Sequence, residues 1–347
     1  MAKLHLIGCG GAGINSLLYI RNDLDKLSGS FAKIGYSFID TTDKTMQAYP
    51  EYAEEFTKIE SERASVESLD GMGGERADRD TAIDIDKNIK SYVDKLSNNK
   101  DIYYIVVASG SGASGSLISP LLTKALLAKK CSTIVSLIGD TSNLLNMHNT
   151  INTISTFQKI VSKPKKGVNL SEAALPMIYY NNSVNNVTSP GTEIAVNERI
   201  FKMISILAMF CSGNVQNIDH QDMRYFFRAS EYKSLDIDPG LYTLGVSIKS
   251  LDDGLTVIAR TILSSTDETI DIKVPLAHNK TGIVADDFTE YFKEYPIHLL
   301  LRQGVMNNEV KQLKETMEEM EKQRKVNYEQ FENSSRSEDD DELGLVL

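Results

Sequence analysis

Three glycines near the start of the chain have the spacing of a phosphate-binding turn. Gly8, Gly10 and Gly13 form a G-x-G-x-x-G pattern directly after the apolar run at residues 4–7. This spacing predicts a strand that turns sharply into a helix, whose first free N–H groups can receive an anion. The same glycines would also suit a tight turn that binds nothing. A nucleotide site would need further residues from elsewhere in the chain.

A second Gly/Ser-rich loop, residues 109–116, provides candidates for these residues. It follows a β-branched and aromatic run at residues 101–108 and leads into an apolar helical segment. Two such loops at the ends of different strands in one sheet build two anion cradles, which suits a nucleoside triphosphate better than a dinucleotide. A plain turn between strand and helix is the alternative. Gly71, Gly73 and Gly74 could form a third backbone nest or a simple surface turn.

Three polar residues that could act on water follow a long apolar segment. Asn217, Asp219 and Asp222 cluster there, and two carboxylates three residues apart can polarise a water or hold a hydrated metal. Helix capping would explain the same residues equally well. The five histidines have no ligand spacing, and the three cysteines are widely scattered. We therefore predict no zinc site built from histidine or cysteine and no disulfide.

The elements that must position these residues alternate between strand and helix. From Lys3 to about Ile178 the alternation predicts a doubly wound parallel sheet, with ligand loops at the carboxyl ends of its strands. A long helix, three β-rich runs, an amphipathic helix and an acidic end follow. We predict a nucleotide-binding domain at residues 1–190, a central helix with the acidic loop at 191–223, a smaller α+β domain at 224–304, a C-terminal helix at 305–333 and an acidic tail at 334–347.

The composition narrows the possible partners and compartment. The formal net charge of -11 opposes direct binding to nucleic acid or to an anionic membrane surface. The most apolar run after the N-terminal half, residues 204–211, is too short to span a bilayer, and no secretory leader pattern opens the chain. These features predict a cytoplasmic protein.

The three motifs occur in the order found in the tubulin/FtsZ superfamily of GTP-dependent filament proteins. The stretch "GCGGAGIN" resembles the first phosphate loop, "SGSGASGS" resembles a degenerate G-G-G-T-G-[ST]-G signature, and "NIDHQD" resembles the N-x-D-x-x-D loop after the central helix. Length, terminal helix and acidic tail are most similar to the PhuZ group of bacteriophage tubulins, which form a spindle that centres phage DNA. Plasmid-segregating TubZ filaments are the near alternative.

The resemblance implies a cytomotive GTPase in the host bacterial cytoplasm that binds GTP or GDP with Mg²⁺. Residues 224–304 would form the activation domain, and hydrolysis would occur between subunits of a homopolymer. The residues implied at the nucleotide are Gly10, Gly11, Gly13, Asn15, Asp40, Gly73, Gly74, Gly110, Ser111, Gly112, Ala113, Ser114, Gly115, Ser116 and Asn197. The catalytic residues implied for the neighbour's nucleotide are Asp219, Asp222 and Asn217. The tail residues implied to dock on the adjacent subunit are Asp339, Asp340, Asp341 and Glu342.

Two rival functions remain open at this level. An NAD-dependent dehydrogenase would use the opening glycines and place Asp40 on the ribose, but no catalytic constellation of His, Lys or Tyr accompanies them. A nucleotide-binding scaffold would polymerise without turnover. Ser111 and Ala113 depart from the glycine signature, which leaves the hydrogen bonds of the second loop in question.

Overall fold

The computed structural model provides the fold of the chain. The structure describes residues 3–27, 31–60, 79–97, 99, 101–161, 174–183, 189–212, 220–228, 240–247, 257–264, 278–283 and 297–339. The structural statements below refer to these residues.

The described strands form one ten-stranded, hydrogen-bonded sheet. They are Lys3–Cys9 (β1), Lys33–Asp40 (β2), Phe56–Lys58 (β3), Ile102–Ser109 (β4), Ser132–Gly139 (β5), Ala174–Asn181 (β6), Gly240–Ser247 (β7), Val257–Ser264 (β8), His278–Ile283 (β9) and Ile297–Arg302 (β10). Their order is β3-β2-β1-β4-β5-β6-β7-β10-β8-β9. Every pairing from β3 to β7 is parallel, whereas β10 is antiparallel to both β7 and β8. The parallel part and the mixed part confirm the predicted α/β fold class.

Helices cover both faces of the parallel part. The described α-helices are Gly10–Asp25 (α1), Lys44–Ala48 (α2), Arg79–Lys95 (α3), Ala113–Ala128 (α4), Leu144–Val161 (α5), Pro190–Phe210 (α6), His220–Phe227 (α7) and Val305–Asp339 (α8). A short 3-10 helix spans Pro50–Glu55. No helix of the described ranges is long and apolar enough to cross a membrane.

Strand β4 shows why the parallel strands are apolar along their whole length. Tyr103, Ile105 and Val107 pack into one core with α1 and α6, while Tyr104 and Val106 pack into a second core with α3 and α4. Successive side chains of a strand point to opposite faces, so a strand covered on both sides has no polar face. The uninterrupted apolar run in the sequence is the consequence of this double burial.

The central helix α6 is built to start sharply and to pack against the sheet. Ser189 and Thr192 form a capping box, and Pro190 occupies the first turn, where its missing N–H costs nothing. Ile200, Ile204 and other apolar residues of the helix are buried in the core shared with α1. Burial of this face supports the predicted long central helix.

The C-terminal helix α8 is longer than the sequence pattern indicated. It packs on α5 through Met306 and Leu313, and it continues to Asp339 rather than ending at residue 333. No Gly or Pro interrupts residues 305–339, so nothing in the covalent chain stops the helix at the first acidic residues. Asp339 is therefore helical, while Asp340, Asp341 and Glu342 lie outside the described residues.

His5 gives the fold a predictable pH dependence. It lies in β1 with its Nε2 2.8 Å from Ser37 Oγ, and burial, assisted by the nearby Lys3 charge, lowers the pKa of His5 from 6.5 to about 4. As pH falls, His5 of the unfolded chain binds a proton before His5 of the folded chain does. The contribution of neutral His5 to the free energy of unfolding is therefore complete above pH 6.5 and is lost as pH falls towards 4. The urea midpoint is expected to fall across that window.

The His5→Gln variant is the matched test, because its amide keeps a hydrogen-bonding group but does not titrate. Its urea midpoint should change less than the wild-type midpoint over the same pH window. Carboxyl groups common to both proteins contribute equally to the two curves. Identical curves would contradict the lowered pKa of His5.

Candidate functional site

The first glycine loop is shaped by contact with its neighbours. Gly10 begins α1 with a φ of +69°, in the left-handed region, and a Cβ on it would lie 2.6 Å from the backbone nitrogen of Gly115. A Cβ on Gly13 would lie 2.2 Å from the carbonyl oxygen of Val107 in β4. Both positions therefore require glycine, and the two loops predicted from sequence are packed directly against each other.

The second loop presents the start of a helix. Ser109 Oγ accepts hydrogen bonds from the N–H groups of Ser111, at 3.1 Å, and Gly112, at 3.3 Å. Helix α4 begins at Ala113, and its N-cap residue, Gly112, has no side chain with which to cap it. An uncapped first turn offers N–H groups and the positive end of the helix dipole to an anion. Residues 110–116 thus have the geometry of a phosphate cradle.

Helix α5 supports this loop through two side-chain hydrogen bonds. Asn149 Nδ2 donates to the carbonyl oxygen of Ser111 at 3.1 Å, and Thr153 Oγ1 donates to that of Gly110 at 2.9 Å. Both side chains are buried. The sequence analysis did not identify these two residues. The signal that could have found them is a polar residue on the apolar face of a helix. Their bonds direct the carbonyl groups of the loop outwards from the cradle.

Asp40 and Thr41 connect the end of β2 to the same loop. Thr41 Oγ1 lies 2.7 Å from Ser114 Oγ, and Asp40 accepts a hydrogen bond from the Thr41 N–H at 2.7 Å. Asp40 is 3% exposed, and this burial raises its pKa. A carboxylate enclosed in this way anchors a loop more readily than it reaches a ribose. The dehydrogenase hypothesis, which needs Asp40 at the ribose, is weakened.

A cleft beside the first loop joins α1 to the central helix. Its volume is about 810 Å³, within the range of ligand sites. Gly11 and Asn15 line one side, and Val196 and Asn197 line the other. Asn15 and Asn197 were both predicted at the nucleotide, and each amide can donate to and accept from the edge of a purine. The structure therefore brings these two side chains to one cavity.

The outer wall of the cleft is aromatic. Tyr52 of the 3-10 helix lines this wall, together with Tyr49, which precedes that helix, and Tyr19 of α1. The Arg21 guanidinium lies 4.1 Å from the centre of the Tyr52 ring and forms a two-armed hydrogen-bonded ion pair with Glu55. This pair holds the segment against α1. Sequence reasoning did not assign Tyr49 or Tyr52, although two tyrosines flanking Pro50 at a strand connection were a visible signal.

Of the three polar residues proposed to act on water, the structure describes Asp222 alone. Asn217 and Asp219 lie outside the described residues, as do Gly73 and Gly74. Asp222 stands in the first turn of α7 and is 7% exposed. A carboxylate in the first turn interacts favourably with the helix dipole, so the position of Asp222 also suits helix capping. Asp222 does not line the cleft.

Helix α7 packs near the amino ends of the parallel strands. Phe227, at its end, makes an edge-on contact with Tyr103, the second residue of β4, with ring centres 5.5 Å apart. The second glycine-rich loop begins at Ser109, the last residue of that strand. At the usual rise per residue, Tyr103 and Ser109 are about 20 Å apart. Helix α7 and the cradle therefore lie towards opposite ends of strand β4.

Comparison of the structure with solved structures identifies the fold of the chain. No protein family model and no curated protein sequence matches the chain. Its structure resembles a PhuZ201 filament, with a TM-score of 0.73 and 19% identity over 94% of this chain and 93% of that one. It resembles the phage tubulin PhuZ with GDP to the same extent, at a TM-score of 0.72 and 19% identity, again over 94% and 93%.

A less similar structure has the same fold. A mutant form of FtsZ from M. jannaschii has a TM-score of 0.55 and 15% identity over 88% of this chain and 92% of that one. Matches at such low identity establish the fold alone. The chain has the tubulin/FtsZ fold, and it is more similar to the two PhuZ structures than to this FtsZ.

Proposed function

We propose that the chain is a tubulin-like GTPase that polymerises head to tail and hydrolyses GTP at the contact between subunits. The observation that carries the proposal is the separation of the acidic helix from the phosphate cradle. Two subunits stacked along the strand direction would bring helix α7 of one subunit to the cradle of the next. The similar PhuZ201 structure is a filament, which supports polymerisation.

GTP or GDP is the ligand that the cleft and cradle suit. The cradle at residues 110–116 would hold the phosphates through backbone N–H groups, and Gly10, Gly11 and Gly13 would allow their close approach. Asn15 and Asn197 would contact the base and ribose in the cleft, which no residue of the cradle lines. The similar PhuZ–GDP structure supports a guanine nucleotide as the ligand.

Mg²⁺ would accompany the triphosphate and neutralise charge that develops on the phosphate oxygens. The described residues contain no cluster of three or more His, Cys, Asp or Glu side chains suited to a metal. Thr41 and Ser114 supply hydroxyl groups beside the cradle. This donor set fits a Mg²⁺ ion carried mainly by phosphate and water, as that ion prefers.

Catalysis would fall to the acidic loop of the adjoining subunit. We infer that Asp219 and Asp222 orient and polarise the attacking water, with Asn217 beside them. The cradle would fix the phosphates in line with that water. Hydrolysis would thus follow assembly, because the water-activating groups arrive only with the next subunit.

The cellular role that we propose is a phage spindle in the cytoplasm of an infected bacterium, positioning viral DNA. A TubZ-like filament that segregates plasmid or prophage DNA is the alternative. The net charge of -11 disfavours direct contact with that DNA, so an adaptor would link filament and cargo.

Assembly and turnover measured together test the proposal. Purified chain should pellet as filaments with GTP, but not with GDP or NADH. Phosphate release should rise steeply above a threshold protein concentration, because each active site needs two subunits. Filaments that release no phosphate would favour the scaffold, and binding of NADH in place of GTP would favour the dehydrogenase.

Removal of the acidic tail should weaken the polymer. Deletion of residues 340–347 leaves helix α8 complete and removes Asp340, Asp341 and Glu342. If these carboxylates bind basic residues of the next subunit, the critical concentration should rise about tenfold, since the tail adds a tethered contact. Sedimentation against protein concentration gives that value. The matched control changes the three residues to Asn, Asn and Gln, and an unchanged threshold in both variants would refute tail docking.

A further inference from the structure

A second cavity lies where strands β6 and β7 separate. The two strands are paired only from Ala174–Gly240 to Met177–Thr243, although both continue beyond that point. The gap is closed on one side by α6 and on another by the start of α8, leaving a cavity of about 460 Å³. This volume suits a small organic molecule. The cavity shares no lining residue with the nucleotide cleft among the described parts of the chain.

Two hydroxyl groups in the lining have unmet hydrogen-bonding capacity. Tyr180 is 3% exposed, and its Oη has no hydrogen-bond partner within the ranges that the structure describes. The same holds for Oγ1 of Thr243 on β7. A buried hydroxyl without a partner destabilises a fold. A ligand that accepts hydrogen bonds at this position would remove that penalty.

The charges around the cavity are mainly positive. Arg199 and Lys202 stand on the exposed side of α6, and Arg302 ends β10. Of the described residues in the lining, Glu309 is the single carboxylate, and burial raises its pKa, which favours its neutral form. The Arg199 guanidinium also lies 5.2 Å from the centre of the Tyr180 ring, so charge and hydroxyl group belong to one region.

The rest of the lining is apolar. Ile178 and Leu244 come from the two separating strands, Met203 and Ile206 from α6, and Met306 from α8. A ligand for this cavity therefore needs a hydrophobic body as well as a negative group. Inorganic phosphate alone would leave this apolar surface uncovered.

We propose that this cavity binds a small amphipathic organic anion, with one carboxylate, sulfonate or phosphate group on an apolar body. Arg199 and Lys202 attract the anionic group at the mouth. Tyr180 and Thr243 donate hydrogen bonds to it, and the apolar side chains cover the body. The ligand would contact α6 together with β7 and α8, so it would join the central helix to the mixed part of the sheet. The site does not depend on the proposed GTPase activity.

The experiment uses the complete chain without nucleotide and titrates it with 8-anilinonaphthalene-1-sulfonate, whose fluorescence rises in apolar surroundings. N-phenyl-1-naphthylamine, which has the same rings without the sulfonate, is the neutral control. Arg199→Gln and Lys202→Gln should each weaken sulfonate binding about tenfold, in line with the loss of a charged hydrogen bond, and should leave the neutral probe nearly unaffected. Lys311→Gln, which removes an equal charge from exposed α8, should change neither.

Tyr180→Phe supplies a second, independent readout. The variant should bind the sulfonate about fivefold more weakly, yet its thermal midpoint without ligand should equal or exceed that of the wild type, because an unpartnered hydroxyl has been removed. Equal sulfonate affinity in wild type, Arg199→Gln and Lys202→Gln would overturn the proposal. Displacement of the probe by saturating GTP would also overturn it, because the probe would then occupy the nucleotide cleft.

Discussion

Replacing Gly13 with alanine is expected to destabilise the fold by about 4 kcal/mol and to abolish GTP binding, a large effect for one methyl group. The added Cβ would lie 2.2 Å from the Val107 carbonyl oxygen and 2.9 Å from its carbon. Both atoms belong to the backbone of a fully buried part of β4, which cannot move without disturbing the strands on either side. Urea unfolding and equilibrium dialysis with GTP measure the two effects.

Gly11→Ala is the matched control. The nearest atom to its added Cβ is Thr45 Oγ1 at 3.9 Å, an ordinary contact, so its unfolding free energy should stay within about 0.5 kcal/mol of wild type. Gly10→Ala tests the contact between the loops, because its Cβ would meet the Gly115 nitrogen and its φ is positive. A Gly13→Ala protein with the wild-type urea midpoint would contradict the packing of the first loop against β4.

Asp219→Ala is expected to slow GTP hydrolysis by about 10² to 10⁴-fold, while GTP binding and polymerisation persist. The proposed function places this carboxylate on the neighbour's nucleotide, so the variant keeps an intact cleft and loses only the group that activates water. Its filaments should therefore be unusually long-lived with GTP. Phosphate release per polymer, normalised by sedimentation, is the measurement.

Mixing variants tests whether the active site is shared. Asn197→Ala weakens the cleft but keeps the acidic loop, whereas Asp219→Ala does the reverse. Copolymers of the two should hydrolyse GTP faster than either variant alone, because some contacts combine an intact cleft with an intact loop. A capping role for Asp219 predicts a different result, namely normal turnover per polymer with a lower thermal midpoint. That result would remove Asp219 from catalysis.

Local patterns were the most reliable guide to the site. The glycine spacing at residues 8–13 requires close backbone approach, and the structure has it at Gly10 and Gly13. The apolar run of β4 indicated a strand buried on both faces, and the two faces of that strand do pack into two separate cores. Asn15 and Asn197 were assigned through the resemblance, and both line the cleft.

Contacts across long sequence separations were beyond the same reasoning. The aromatic wall at Tyr49 and Tyr52 depends on Arg21, which is 31 positions from Tyr52. Asn149 and Thr153 act on a loop some 40 positions earlier, with separations of 38 and 43 residues. Residue type can mark one such side chain, but it does not identify the partner, because these pairs arise when helices are placed on a sheet.

Sequence thus contained what depends on neighbouring residues: turns that need glycine and strands that need two apolar faces. Folding added the relations between distant segments. Because β1 and β4 are adjacent and parallel, both glycine loops lie at the carboxyl ends of the strands, and the contact between Phe227 and Tyr103 holds helix α7 near the amino ends. That separation comes from strand pairing and core packing, and it is why the proposed site needs a second subunit.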